Sequence, residues 1–398
     1  MTRQKSRRAP RLDVDALLDD RSVGIVVCCG SGGVGKTTTS AALALRAAER
    51  GRHVVVLTID PARRLAQSMG IAQLDNTPRP VAGIDTAAGG SLDAMMLDMK
   101  RTFDEVVESQ ASPEKARQIL DNSFYQALSS SFAGTQEYMA MEKLGQIHRQ
   151  AAVDGSYDLI VVDTPPSRSA LDFLDAPERL SNFLDGRFIR LLLTPARGPA
   201  RLMTAGLGII TGALTKVLGA QFLRDVQTFV GALDTLFGGF RQRAQQTFRL
   251  LQADGTAFLV VAAPEPDAMR EAAYFVERLS EDAMPLAGLV VNRASRPPVG
   301  GLTPEEASAA ASKLVTRLGK EVPSATSALA AGLLRLYADR GRQVAREAVQ
   351  RSRFAAAHPQ VPTAVVPALA GDVHDLDGLR RVGVLLGGQD DDTRVESG

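Results

Sequence analysis

The sequence predicts an α/β fold with a mostly parallel central sheet flanked by helices, and two observations support this prediction. Short apolar runs rich in β-branched residues recur along the chain, as expected of parallel strands that are buried on both faces. Segments rich in alanine and leucine, such as residues 38–50 and 266–279, separate these runs and are typical of crossover helices. The predicted strands span residues 23–29, 53–59, 157–162, 256–262, 286–291 and 362–366.

Composition excludes several classes of protein. The 398 residues include 46 basic and 45 acidic side chains, so the net charge of +1 gives no field to hold nucleic acid, and no nucleic-acid partner is expected. Hydrophobic residues make up 45% of the chain, which is enough for a globular core. The only two cysteines are adjacent, at Cys28 and Cys29, which argues against a disulfide framework or a structural zinc site.

The ends and the middle of the chain indicate its organisation. Residues 1–22 are polar and arginine-rich, residues 388–398 are polar and acidic, and both are predicted to be flexible tails around one domain over residues 23–387. Two intervals, at about 100–150 and 178–250, are too long for simple crossovers and are predicted to be helical insertions. No run reaches the roughly 17 apolar residues that a transmembrane segment needs, and no secretory leader is recognisable, so a cytoplasmic location is expected.

A glycine-rich loop follows the first predicted strand and leads directly into a helix. Its residues are Gly30, Ser31, Gly32, Gly33, Val34, Gly35, Lys36 and Thr37, which match the pattern Gly-x4-Gly-Lys-Thr, and Thr38 comes next. Backbone N–H groups of such a loop converge on phosphate oxygens, and the lysine neutralises the β and γ phosphates. The Thr37 hydroxyl is positioned to ligate Mg²⁺ and Thr38 to reach the α phosphate, so the loop predicts a nucleotide site.

Two aspartates end strands that flank this loop. Asp60 follows the second predicted strand, where a carboxylate can orient water for attack on the γ phosphate. The equally good alternative is that Asp60 caps the next helix, with Pro61 in the first turn. Asp163 follows the strand over residues 157–162, and together with Thr37 it is the candidate Mg²⁺ site.

The phosphate loop resembles the GKGGVGKT loop of the arsenite-pump ATPases (ArsA), the tail-anchored-protein targeting ATPases, MinD, ParA and the nitrogenase iron proteins. Residues 60–65, DPARRL, resemble the DPAHxL switch I of the first two groups, and residues 163–171, DTPPSRSAL, resemble their switch II. The resemblance implies an ATPase that uses ATP and Mg²⁺ and that opens and closes a dimer by hydrolysis. It also implies that Asn292, Pro367 and Leu369 hold the adenine. The amide of Asn292 can donate to and accept from a base edge, although a turn-forming role is the alternative.

In the resembling families a signature lysine follows the first glycine of the loop and reaches the partner's nucleotide. Ser31 occupies that position here, and Lys36 is the only lysine between Lys5 and Lys100. We therefore expect a homodimer to hydrolyse ATP slowly and a paralogous subunit that carries the lysine to complete the site in a heterodimer. The rival expectation is a homodimer that uses Arg63 or Arg168 instead.

The second helical interval contains an apolar stripe. Seven apolar residues between Leu218 and Phe240 recur at spacings of three or four and share one helix face. In the tail-anchored-targeting relatives this region forms a groove for a client's transmembrane helix, which would place the protein at the membrane periphery. Packing against the protein's own core is the favoured alternative. Two other classes stay open, a ParA- or MinD-like positioning ATPase and a non-catalytic nucleotide-gated scaffold.

Overall fold

The computed structural model describes residues 10–60, 64–122, 125–126, 135–165, 242–318 and 325–388. Within these ranges eight strands form one sheet in the order β3-β4-β2-β5-β1-β6-β7-β8. The strands are β1 Ile25–Cys29, β2 His53–Thr58, β3 Arg79–Pro80, β4 Ser91–Met96, β5 Leu159–Asp163, β6 Thr256–Ala262, β7 Leu286–Ala294 and β8 Thr363–Pro367. All neighbouring pairs are parallel except β3 and β4, so the predicted α/β fold with a mostly parallel sheet is confirmed.

The two strands at one end of the sheet, the edge strand β3 and its neighbour β4, were not predicted. Strand β4 has the sequence Ser-Leu-Asp-Ala-Met-Met, which lacks the β-branched residues that mark the other strands. It becomes a strand because it pairs in register with all six residues of β2. Tertiary pairing therefore overrides a weak local preference at this edge.

Helices cover both faces of the sheet. They are α1 Val14–Asp19, α2 Lys36–Glu49, α3 Arg64–Ser68, α4 Met99–Gln110, α5 Pro113–Leu120, α6 Thr135–Asp154, α7 Pro266–Glu281, α8 Pro304–Leu318, α9 Ala325–Ala357 and α10 Leu376–Leu386. One apolar cluster joins α1, α2, α3 and α10 to one face of the sheet. A second apolar cluster joins helices α4, α5, α6 and α7, together with the end of α9, to the other face of the sheet. The sheet is thus buried on both sides, as its apolar strands require.

The prediction of a flexible tail over residues 1–22 is wrong for residues 10–22. This segment contains α1, whose Val14 and Leu18 side chains are fully buried against the core. Asp15 of α1 forms a bidentate ion pair with Arg46 of α2, with N···O distances of 2.6 and 2.7 Å. The polar, arginine-rich composition did not indicate this short helix, which is attached by buried apolar side chains and by ion pairs of Asp15 and Asp19 with Arg46 and Arg50.

The long helical intervals are described in part. Helices α4, α5 and α6 lie between residues 99 and 154, and α8 pairs with α9 before the last strand. Residues 166–241, which include the apolar stripe at 218–240, lie outside the described residues, and residues 242–251 are helical. Among the helices that the structure describes, none is both long and apolar enough to cross a membrane.

Candidate functional site

The phosphate loop connects β1 to α2 at the carboxyl edge of the sheet. Two of its glycines are required by the backbone and by close contacts. Gly30 has φ of 145°, and a Cβ atom there would lie 2.1 Å from the carbonyl oxygen of Val261 on β6. Gly35, the residue before α2, has φ of 93°, and a Cβ atom there would lie 2.2 Å from Nδ2 of Asn292. A larger residue at Gly30 would collide with the backbone of β6, whereas one at Gly35 would strain the backbone and displace the Asn292 amide.

Lys36 begins α2 and is buried beneath the loop. Its Nζ donates to the carbonyl oxygen of Ser31 at 2.8 Å, across the turn of the loop. Burial lowers the pKa of Lys36, while the nearby charges of Asp163 and Asp60 act in the opposite direction. The ammonium group therefore lies inside the loop, where a cation can neutralise the charge of a bound phosphate.

Asp163 forms the centre of a hydroxyl cluster beside Lys36. One of its carboxylate oxygens accepts from the hydroxyl of Thr37 at 2.7 Å and from that of Thr58 at 2.9 Å. The hydroxyl of Ser40, one turn into α2, lies 3.5 Å from the other oxygen. Burial raises the pKa of Asp163 to about 6, whereas the Thr37 and Thr58 hydrogen bonds lower it. The structure therefore brings the two predicted metal residues, Thr37 and Asp163, into contact.

The oxygen atoms of this cluster fit Mg²⁺. The ion prefers hard oxygen ligands and commonly binds through one or two protein groups together with water and substrate phosphates. A hydroxyl and a carboxylate beside a phosphate loop supply such groups. Thr58 and Ser40 were not among the residues predicted from the sequence. Their positions are the only signal that could have indicated them, since Thr58 lies two residues before Asp60 and Ser40 lies one helical turn after Lys36.

Asp60 lies just beyond the end of β2, on the same edge of the sheet. Its backbone N–H donates to the Thr58 hydroxyl at 3.2 Å, and its carboxylate is close enough to Lys36 to affect that lysine's pKa. Residues 61–63 lie outside the described residues, and α3 begins at Arg64. The position is compatible with a water-orienting role, which stays a prediction.

The residues predicted to hold adenine lie at the ends of β7 and β8. Asn292 is buried, and its Nδ2 donates to the carbonyl oxygen of Val34 in the phosphate loop at 2.9 Å. Pro367 pairs with Ala294 at the end of β8, and Leu369 packs against the apolar cluster that contains Val34. The structure thus places Asn292 on the loop, with Pro367 and Leu369 on the adjoining strand end. Adenine contact by these three residues stays a prediction.

Sequence analysis also missed Arg293. Its Nη1 donates to the carbonyl oxygen of Gly33 at 2.9 Å, and the residue lies near the end of β7, where no motif marks it. A cavity of about 400 Å³ lies on its other side, between β6, β7 and α9, and its lining includes Arg346 and Glu347. Arg293 therefore stands between the phosphate loop and this cavity.

Other predicted features of the site are described only in part. Thr164, the second residue of the proposed switch II, donates its hydroxyl hydrogen to the carbonyl oxygen of Cys28 at 2.9 Å, and residues 166–171 of that segment lie outside the described residues. Cys28 and Cys29 are buried in β1, and burial raises the pKa of the Cys28 thiol to about 12. Within the described ranges no three His, Cys, Asp or Glu side chains cluster as metal ligands.

Comparison with known proteins identifies the family. Residues 23–298 match the family model for anion-transporting ATPases. The chain is 26% identical over 268 residues to the "ATPase ASNA1 homolog" of Cryptosporidium parvum, which covers 67% of this chain and 64% of that protein. It is 32% identical over 173 residues to the "ATPase GET3" of Podospora anserina, covering 43% and 48% of the two chains. It is 27% identical over 281 residues to the "ATPase GET3" of Ajellomyces dermatitidis, covering 70% and 74%. The chain spans less than two thirds of the first two relatives, but the family model matches well over half of it. The chain therefore belongs to the anion-transporting ATPase family.

Proposed function

We propose that this protein is a Mg²⁺-dependent ATPase that couples ATP binding and hydrolysis to the opening and closing of a dimer. The observation that carries the proposal is the 2.7 Å hydrogen bond between Thr37 and Asp163, formed beside the buried ammonium group of Lys36. A cation under a glycine loop, next to paired oxygen ligands, is the arrangement that phosphoryl transfer requires. Family membership and the relatives' names support ATP as the nucleotide.

Each residue of the site has a separate task in this proposal. Mg²⁺, when bound, would neutralise charge on the β and γ phosphates. Thr37 and Asp163 would hold it, and Lys36 would contact the phosphate oxygens from inside the loop. Asp60 would orient water for in-line attack, because it lies at a strand end beside the same edge.

The Asp60→Asn variant tests the proposal. We expect it to bind ATP as the wild type does and to hydrolyse it roughly 10² to 10⁴ times more slowly, because a neutral amide orients the attacking water less effectively than a carboxylate does. Single-turnover hydrolysis, measured beside nucleotide binding, separates the two effects.

Asp339→Asn serves as the matched control, because Asp339 is an exposed aspartate of α9 that pairs with Arg342. Its rate should equal that of the wild type. Wild-type hydrolysis by Asp60→Asn would show that the water-positioning role is wrong. ATP binding without any turnover by the wild type, even with its natural partner present, would instead favour the nucleotide-gated scaffold.

We also propose that the apolar stripe over residues 218–240 binds a hydrophobic client helix. The stripe lies outside the described residues, so the support is its spacing and the resemblance. Serine at Phe222, Phe229 and Leu236 is expected to weaken binding of a fluorescent 20-residue leucine-rich helix by tenfold or more, because several large apolar contacts are lost. Thermal unfolding measured on the same variant shows whether the fold survives.

A control of equal size is available on α9. Leu329, Leu333 and Leu336 are exposed apolar residues at helical spacing, and their replacement by serine removes a comparable apolar surface. That variant should bind the leucine-rich helix as the wild type does. The core-packing alternative would be supported if only the variant at Phe222, Phe229 and Leu236 lost thermal stability. In that case the fraction of this variant that stays folded would bind the leucine-rich helix as the wild type does.

A paralogous subunit is the partner that we propose for the dimer. Ser31 is buried, and its hydroxyl oxygen has no hydrogen-bond partner among the described residues. A serine cannot reach a second nucleotide, so two copies of this chain would lack the trans cation at both sites. A partner chain that carries a lysine at the matching position would supply it on one side.

A further inference from the structure

The end of β7 departs from regular strand geometry beside the phosphate loop. Strand β7 pairs in register with β8 as far as Val291, and the register then shifts before Ala294. Between them Arg293 has φ of 59°, a left-handed conformation that is uncommon for a residue with a side chain. Bulges of this kind redirect side chains and occur often next to functional sites.

The bulge directs two consecutive side chains onto two consecutive carbonyl groups. Asn292 donates to the Val34 oxygen and Arg293 donates to the Gly33 oxygen, both at 2.9 Å. Together they bind the tip of the phosphate loop from one side.

Holding these carbonyl groups also fixes two N–H groups. Each peptide unit is planar, with its carbonyl and its N–H pointing in opposite directions. Anchoring the Gly33 and Val34 oxygens therefore sets the directions of the Val34 and Gly35 N–H groups. Those N–H groups belong to the part of the loop that binds phosphate in glycine-rich loops of this pattern.

Neighbouring contacts keep the left-handed turn in place. The backbone N–H and the hydroxyl of Ser295 both donate to Glu347 of α9 at 2.7 Å, and Glu347 is itself buried. On the other side, the N–H of Ala368 donates to the Ala294 oxygen at 2.9 Å. The chain after Arg293 is thus attached to both α9 and β8, so the surrounding structure supports the unfavourable conformation.

We propose that Arg293 is a nucleotide-positioning residue, which acts with Asn292 to hold the tip of the phosphate loop so that the Val34 and Gly35 N–H groups face the phosphates. The inference rests on the proposed nucleotide site. Arg293 should therefore affect the affinity of every nucleotide that occupies the loop, because it contacts the loop and not the γ phosphate.

Dissociation constants for ADP and ATP, measured on the full chain with Mg²⁺, test this inference. Arg293→Ala is expected to raise both dissociation constants about tenfold, since it removes a charge-assisted hydrogen bond that orders the loop. The dissociation constants of Arg293→Lys should stay within about threefold of the wild-type values, because the ammonium group of lysine can donate to the same carbonyl oxygen. Arg296→Ala, which removes an exposed arginine three residues away, should have no effect.

The possible outcomes are distinct. A loss of affinity for ATP alone would overturn the positioning role, because it would indicate direct contact with the γ phosphate. Unchanged affinity for both nucleotides, with only the melting temperature lowered, would show that Arg293 is merely structural and would also overturn it. Failure of the wild type to bind either nucleotide would refute the proposed function itself, whatever the variants do.

Discussion

Lys36→Ala is expected to abolish ATP binding, with an affinity loss on the order of 10²-fold or more. Lys36 is only 5% exposed, and its ammonium group lies near two carboxylates, Asp163 and Asp60. Without it, the loop would lose its own buried cation while the two carboxylates stay beside the triphosphate. Calorimetric titration with ATP and ADP in the presence of Mg²⁺ measures the effect directly.

The matched control is Lys100→Ala on α4. Lys100 is an exposed lysine that pairs with Asp104 four residues later, so its removal changes the net charge equally without touching the loop. Its nucleotide affinity should equal that of the wild type. Wild-type affinity in Lys36→Ala, with the fold intact by thermal unfolding, would refute the role of the loop.

The sheet and its phosphate loop were predictable because their signals are local. Apolar β-branched runs mark β1, β2, β5, β6, β7 and β8, and the glycine pattern marks the loop between β1 and α2. Thr37 and Asp163 lie 126 residues apart in the chain, yet their meeting could also be predicted. The carboxyl ends of neighbouring parallel strands share one edge of the sheet, and Asp163 ends β5 beside β1.

The features that were missed depend on contacts which no local pattern encodes. Strand β4 forms because its backbone pairs with β2. Helix α1 forms because it packs against the apolar surface of α2 and pairs with Arg46. Arg293 was missed because its direction comes from a bulge and a left-handed φ, which the sequence Val-Asn-Arg-Ala does not reveal. In each case the determining interaction joins segments that are distant along the chain.

Ser31→Lys is expected to raise ATP hydrolysis by the isolated chain on the order of 10³-fold or more. A cation supplied in trans to a phosphoryl-transfer site contributes roughly 10³ to 10⁵ in rate, and Ser31 stands where the resembling families carry that cation. Steady-state hydrolysis at saturating ATP measures the gain.

Two further measurements separate the trans lysine from other effects. Ser31→Ala removes the unpaired hydroxyl without adding charge, and its rate should stay as low as that of the wild type. Ser31→Lys combined with Lys36→Ala should be inactive, because the added lysine acts across the dimer and cannot replace the one inside the loop. Adding a co-purifying paralogue to the wild-type chain should also raise the hydrolysis rate, as Ser31→Lys does. In that heterodimer only one of the two nucleotide sites should gain activity. Full activity of the wild-type chain alone, unchanged in Ser31→Lys, would refute the heterodimer and leave another cation, such as Arg63 or Arg168, to stabilise the transition state.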